Sequence, residues 1–216
     1  FGLHTKQNMP VGTIAIAPGP FSAAVDRFLY TVKGMGCHGS APQTGLDPIP
    51  AAARLVGSLQ EIVSRRISPT ETAVISVTRF TSGTSWNIIP ETARLEGTVR
   101  TFNPKVQAQA EGLEREGYQV EFTWIPGCPA TNNDAELAEL VRKEAMEEGF
   151  HVTLQHPEMG GEDFSCYQEL VPGAFFHVGT GGKYPAHNSK FTVDPAALLG
   201  ASKLMSEIVK KALKAS

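Results

Sequence analysis

Apolar and polar positions change their spacing several times along this chain, and each change marks an element. Ala24 to Lys33 (AVDRFLYTVK) reads as a strand. From Pro48 to Ser64 the apolar residues fall at helical spacing (Ile49, Ala52, Leu55, Val56, Leu59, Ile62, Val63), with proline at the start, where its missing N–H costs nothing. Thr72 to Phe80 (TAVISVTRF) and Glu91 to Phe102 (ETARLEGTVRTF) alternate and are rich in β-branched residues, and the breakers of TSGTSWNIIP between them predict an antiparallel pair. A weaker helix is expected over Pro104 to Glu116, closed by Gly117, then a strand over Tyr118 to Trp124. Two helices and four strands in the order βαββαβ predict a small ferredoxin-like α+β layer.

After Pro126 the pattern changes again. Asn133 and Asp134 can cap a helix that runs through Glu148 and closes at Gly149. There follow a short strand (Phe150 to Leu154), a Gly-Gly-Glu-Asp loop, an apolar strand (Ala174 to Val178), a Gly-rich loop and an amphipathic helix from Asp194 to about Leu213. The first seventeen residues read as one more strand. Strands alternating with helices predict a parallel or mixed α/β layer. The expected organisation is an α/β domain made of residues 1–18 and 124–216, interrupted by an α+β domain over 19–123. The chain opens on Phe1, and its first sixteen residues read as the middle of a domain, so a fragment is expected.

Composition narrows the function. The 216 residues carry 19 Lys and Arg against 22 Asp and Glu, a net charge of −3, and 41% of them are hydrophobic, enough for a sizeable core in one or two domains. The cations are dispersed, with Arg65-Arg66, Arg142-Lys143 and Lys210-Lys211 the only adjacent pairs, which argues against a nucleic-acid partner. Apolar runs are interrupted well before the roughly 18–20 residues of a membrane span, and the N-terminus shows no signal-peptide pattern, so a cytoplasmic protein without a membrane partner is expected. Cys37, Cys128 and Cys166 include no CxxC, which argues against a disulfide framework or a cysteine zinc site.

Candidate chemistry rests first on histidine. His4, His38, His156 and His187 lie in loops or at element edges, where ligands and acid–base groups concentrate, while His151 and His177 lie in strand-like runs. Each one alone also reads as an ordinary hydrogen-bonded imidazole. The chain has no HExxH, GxSxG, GK[ST] phosphate loop or GxGxxG before a helix, so no single motif decides.

The order of several weak motifs does. GLHTKQNMPVGTIAIAPGP, KGMGCHGSAPQTGLDPI, LVGSLQEIVSRRISP, NIIPETARLEGTVRTF, CPATNND, MGGEDFSCY and PAHNSKFTVD follow one another along nearly the whole chain. Together they resemble the co-catalytic metallopeptidase family of aminoacylases, hippurate hydrolases, auxin-conjugate amidohydrolases and related deacylases. The resemblance implies a catalytic α/β domain with two divalent metal ions (Zn, Mn, Co or Ni), interrupted by a βαββαβ lid or dimerisation domain. It implies that His4 and His187 are metal ligands. It makes His38 the histidine that stabilises the tetrahedral oxyanion, often in the partner subunit's site, although a Gly-rich turn carrying an exposed imidazole also fits. Asn87 and Arg100 match the family's substrate-binding pair; the guanidinium would clamp a substrate carboxylate, or else form a surface ion pair. Glu162 and Asp163 stand near the metal layer or cap a helix. The N–H groups of Gly179 to Gly182, Gly181 among them, would meet a substrate carboxylate or oxyanion, or the glycines serve only the turn.

The implied activity is hydrolysis of the amide bond of N-acyl amino acids by a homodimer joined through the lid. Relatives carry a Cys-x-His or His-x-Asp segment and a Glu-Glu pair ahead of the stretch that this chain matches. With two ligands, fewer than the usual three, and no positioned base, this stretch alone is expected to be inactive. The helix over 104–116 is shorter than the family implies, which points to an internal deletion or to omitted residues. The alternatives are a dipeptidase or carboxypeptidase acting on small peptides, or a non-catalytic dimerisation module left from a decayed enzyme.

Overall fold

Residues 1–103 and 119–215 are described in the computed structural model. They divide into two units, Phe1–Ala23 with Pro129–Ser216 and Ala24–Cys128. In chain order the strands are β1 (Gly2–Lys6), β2 (Thr13–Ile16), β3 (Gly19–Ser22), β4 (Ala24–Lys33), β5 (Cys37–His38), β6 (Ala73–Ser82), β7 (Ile88–Ile89), β8 (Thr92–Thr101), β9 (Gln119–Ile125), β10 (Thr131–Asn133), β11 (His151–Leu154) and β12 (Phe175–Gly179). The helices are α1 (Pro48–Arg65), α2 (Ala135–Glu147), α3 (Ser165–Gln168) and α4 (Pro195–Ala215). None of them is long and apolar enough to cross a membrane.

In the first unit the sheet order is β1-β12-β2-β11, with β1 parallel to β12, β2 parallel to β11, and β12 antiparallel to β2. This is the mixed form of the expected layer. The single strand expected over the first seventeen residues is two, because the chain reverses between them: Thr13 N–H donates to Pro10 O (3.2 Å), and Gly12 takes a φ of 83° that residues with a Cβ avoid. Ile14, Ile16, Phe176 and Val178 from the sheet meet Val141 of α2 and Leu204 and Ile208 of α4 in one apolar core. Helix α2 starts at Asp134, whose carboxylate accepts from the N–H groups of Glu136 and Leu137 (both 3.0 Å). Asn133, expected to share that cap, is instead buried. Its Nδ2 donates to Ala17 O (2.9 Å) and Phe175 O (2.8 Å), and its Oδ1 accepts from Phe175 N (2.8 Å).

The domain boundaries fall at Ala23/Ala24 and Cys128/Pro129 rather than at 18/19 and 123/124. Strand β3 pairs antiparallel with β10, which ties residues 19–22 to the first unit, and β9 continues to Ile125 against β4 in the second.

The second unit is an antiparallel sheet of order β6-β8-β4-β9, with α1 on one face. Leu55, Leu59 and Ile62 of α1 pack against Phe28, Tyr30 and Leu95, so one sheet face is buried and the other polar, as half-buried antiparallel sheets are. Helix α1 begins one residue after Asp47, whose side chain accepts from Ile49 N (2.9 Å). Strands β6 and β8 form the expected antiparallel pair. The second helix expected over 104–116, with Gly117 as its close, lies outside the described residues. Two two-residue strands, β5 and β7, pair beyond the Lys33 and Thr92 ends of β4 and β8, and no periodicity announces strands that short.

Candidate active-site elements

In the first unit the candidate residues gather around β1. His4 sits in the middle of that strand, and its Nδ1 meets the carbonyl oxygen of Thr5 at 2.8 Å. A carbonyl only accepts, so Nδ1 carries the proton and Nε2 keeps its lone pair. This is how imidazoles that bind metals are usually held. The GGEDF segment lies against the same strand, where a Cβ on Gly2 would stand 2.7 Å from the Phe164 ring. Burial and a hydrogen bond with Asp163 raise the Glu162 carboxyl above the usual range, opposed first by the N–H of Phe164 and then by the nearby His4. At the start of α3 the Glu162 carboxylate accepts from the N–H of Phe164 (3.4 Å), and the main-chain oxygens of Glu162 and Asp163 accept from Ser165 and Cys166.

The loop that follows β12 springs from the end of β1. Thr180 N–H donates to Lys6 O (3.1 Å), and Gly181 N–H donates to Met9 O (2.9 Å). The Gly181 N–H is therefore engaged within the protein, and what its glycine contributes is a left-handed backbone with φ 63°. His187 follows in the same loop, exposed and itself left-handed (φ 67°), a conformation that costs about a kcal/mol or more in a non-glycine residue. Among the described residues no group of three or more His, Cys, Asp or Glu side chains is placed to hold a metal ion. The donors fit such an ion in kind and fall short in number.

Beside His4, in register across the β1/β12 pair, stands His177, with ring centroids 6.3 Å apart and edge-on. It is buried, and its Nδ1–H donates to Gln155 Oε1 (2.9 Å). Gln155 Nε2 donates to Glu158 (3.3 Å), which pairs with Lys6. Burial first, then the charge of Lys6, hold His177 down at about 4. It is the hydrogen-bonded core imidazole that its place in a strand suggests. Burial would raise the Glu158 carboxyl, but bonds from Lys6 and Gln155 outweigh it and hold the group low. His156 and His151 are exposed.

In the second unit, pairing of β5 with β7 sets His38 opposite Ile88, and Gly39 N–H donates to Asn87 O (2.9 Å). His38 and Asn87 thus share one tip. Ser85 Oγ donates to Asn87 Oδ1 (2.7 Å), and Ser40 meets His38 Nδ1 through both its main-chain N–H (3.1 Å) and its hydroxyl (2.7 Å). An open cavity of about 700 Å³ beside this tip is lined by Cys37, His38, Thr84, Ser85, Ile88 and Glu91. Trp86, 97% exposed, stands on the same turn. Sequence reasoning passes over Trp86 and Ser40; the aromatic in TSGTSWN and the hydroxyl two residues after His38 are the available signals. Arg100 is not at this tip. It lies near the other end of β8, beside Val25 and Val74, with Nε donating to Thr98 Oγ1 (3.0 Å).

Residues 1–211 match the family model of peptidase family M20/M25/M40. An N-acetylcysteine deacetylase of Bacillus subtilis is 42% identical over 217 residues, which cover 96% of this chain and 57% of that protein. Thermostable carboxypeptidase 2 of Saccharolobus solfataricus is 36% identical over 217 residues, 93% of this chain and 55% of that protein. A crystal structure of a Bacillus subtilis protein, described as a dinuclear metal binding peptidase from the M20 family, superposes with a TM-score of 0.78 at 37% identity over 99% of this chain and 57% of that one. The chain thus spans about half the length of the relatives it matches.

Proposed function

The chain belongs to peptidase family M20/M25/M40, and from that premise we propose that the whole protein carrying it hydrolyses the amide bond of N-acyl amino acids with divalent metal ions. The observation that carries this reading is the setting of His4. Its Nδ1–H is spent on Thr5 O, so Nε2 is left as a ligand atom beside Glu162. His187 would add a second imidazole. When bound, a metal pair would supply Lewis-acid polarisation of the scissile carbonyl and lower the pKa of a water, so that once a base has taken its proton the water becomes a nucleophile at neutral pH. Imidazole donors suit zinc, manganese, cobalt and nickel alike.

The remaining roles belong to the chain's own residues. Arg100 would clamp the free carboxylate of the substrate, and Asn87 would orient it. His38 would steady the oxyanion where charge develops in the transition state. Glu162 and Asp163 would shape the charge around His4. One copy of the second unit keeps Arg100 well away from His38 and Asn87, so a small substrate that uses all three needs two copies; this supports a homodimer. Since the described residues complete no metal site, this stretch by itself would turn over nothing.

The similarity to a carboxypeptidase supports a second reading, cleavage of small peptides, because Arg100 would demand a free carboxylate there too. The test is hydrolysis of N-acetyl amino acids against dipeptides by the purified whole protein, with its metal content measured on the same sample. Faster turnover of the acetylated substrates, abolished by a chelator, is expected. Preference for dipeptides selects the second reading. A metal-loaded protein that cleaves neither, or turnover indifferent to chelation, overturns both and leaves the non-catalytic dimerisation module.

A further inference from the structure

We infer that Ser40 is a positioning residue for His38: it fixes the imidazole as the tautomer protonated on Nε2, so that the tip offers a hydrogen-bond donor and no base. This rests on the reading of His38 as the group that meets the substrate oxygen.

The geometry leaves little freedom. The main-chain N–H of Ser40 reaches His38 Nδ1 at 3.1 Å. A peptide N–H can only donate, so Nδ1 must present its lone pair. A neutral imidazole carries one proton, which therefore sits on Nε2. The Ser40 hydroxyl, 2.7 Å from the same nitrogen, turns its own O–H toward that lone pair and reinforces the choice. The turn that brings Ser40 there is itself closed, with Ala41 N–H donating to His38 O (2.9 Å) and Gly39 N–H donating to Asn87 O (2.9 Å). Pairing of β5 with β7 holds the other side of His38. The ring is thereby gripped through one edge, and its opposite edge carries the N–H.

The chemical consequence is specific. A developing oxyanion needs a preoriented donor, and the Nε2–H is one. The opposite tautomer would place a lone pair against that oxygen and repel it. With Nδ1 engaged by two donors, His38 has no free lone pair with which to take a proton from water, so general-base work has to come from another residue. His4 is wired the other way, with Nδ1 protonated and Nε2 bare. The two imidazoles are thus set by their neighbours to opposite tasks, one as donor and one as ligand.

The test reads the tautomer directly and separately from activity. Long-range ¹H–¹⁵N correlation spectra of the histidine-labelled chain, with the His38 signals assigned by their loss in His38→Asn, should show the Nε2-protonated pattern at a pH where the ring is neutral. A Nδ1-protonated pattern overturns the inference whatever the protein hydrolyses. In the whole protein, Ser40→Ala should lower kcat by about tenfold with KM within about twofold, since the ring keeps the main-chain N–H but loses the hydroxyl that helps hold its donor edge in place, while substrate binding stays. Ser40→Thr, which keeps the hydroxyl, should recover most of it. If Ser40→Ala leaves kcat unchanged, or Ser40→Thr is no better than Ser40→Ala, the Ser40 hydroxyl does not position the ring and that part of the inference falls, whereas the main-chain N–H, which both variants keep, is judged by the spectra. If the unaltered protein is inactive but the spectra show the Nε2–H form, the proposed hydrolysis fails and the tautomer assignment stands.

Discussion

Asn87 and Arg100 stand toward opposite ends of one strand. Asn87 lies in the turn that leads into β8 and holds the His38 tip, whereas Arg100 is the next-to-last residue of β8 itself. The eight residue steps from Thr92 to Arg100 span about 26 Å at a strand's rise. No small acyl amino acid bridges that length.

Subunit complementation follows from this spacing. In the whole protein, His38→Ala and Arg100→Ala should each be inactive alone. Mixed and reassociated, they should regain up to about a quarter of the original turnover, because one site of a hybrid dimer receives both intact residues. Activity assays on the mixed sample, with gel filtration to confirm exchange, check this; hybrid dimers without activity would place all three residues' work in one subunit or remove it altogether.

Arg100→Lys separates charge from geometry. A lysine keeps the cation but cannot offer two parallel N–H groups to a carboxylate. KM for N-acetyl amino acids should rise about tenfold or more, with kcat changed less, and the corresponding amino acid amides should show no such penalty. Steady-state kinetics on the acid and amide pair measures it.

His4→Ala should lower the metal content of the whole protein. Removing one imidazole ligand weakens a site by orders of magnitude, and hydrolysis should fall with the loss. Elemental analysis after dialysis against a limiting chelator reads the stoichiometry, and an unchanged metal content would show that His4 is not a ligand.

Tyr30 predicts an alkaline transition. Burial raises its phenol from 10.0 to about 12, so it stays protonated in the fold at pH values where the unfolded chain has lost the proton. The stability so contributed, about 3 kcal/mol at most, is complete below pH 10 and is lost as pH rises through 12. Its buried hydroxyl has no hydrogen-bond partner among the described residues. Tyr30→Phe should therefore match or exceed the parent in stability at pH 7 by about 1 kcal/mol, and should lack the alkaline component. Urea denaturation at pH 7 and pH 11 distinguishes the two effects.

Asn133→Ala should destabilise the first unit by about 3 kcal/mol or more, because it strips partners from the main-chain groups of Ala17 and Phe175 in the interior. Asn133→Asp should do worse, since it would set a carboxylate oxygen against those two carbonyls. Chemical denaturation of the three proteins provides the order.

Long periodic runs are legible in the sequence. Strand β4 covers Ala24 to Lys33 as expected, and α1, β6 and β8 lie within two residues of their expected bounds, because seven apolar side chains at helical spacing, or ten residues of alternating pattern, leave one way to bury a face. The proposed site histidines, His4, His38 and His187, are singled out through the order of motifs around them. What is not legible is short or non-local. Strands β5 and β7 have two residues each, and β3 finds its partner β10 more than a hundred residues away. Asn133 reads as a cap from its neighbours in the chain, and only the approach of Ala17 and Phe175 makes it a buried bridge.

The sequence by itself determined the family, the elements with a strong period, and the residue types proposed for the chemistry, since burial pattern and donor type are properties of the chain. The tertiary structure alone decided that Gly181 donates its N–H to Met9, that Asn87 joins His38 while Arg100 stands at the strand's far end, and that His4 and His38 hold their protons on opposite nitrogens. Those facts depend on which main-chain groups come within about 3 Å of a given side chain, and such neighbours are brought together by folding, not by spacing along the chain.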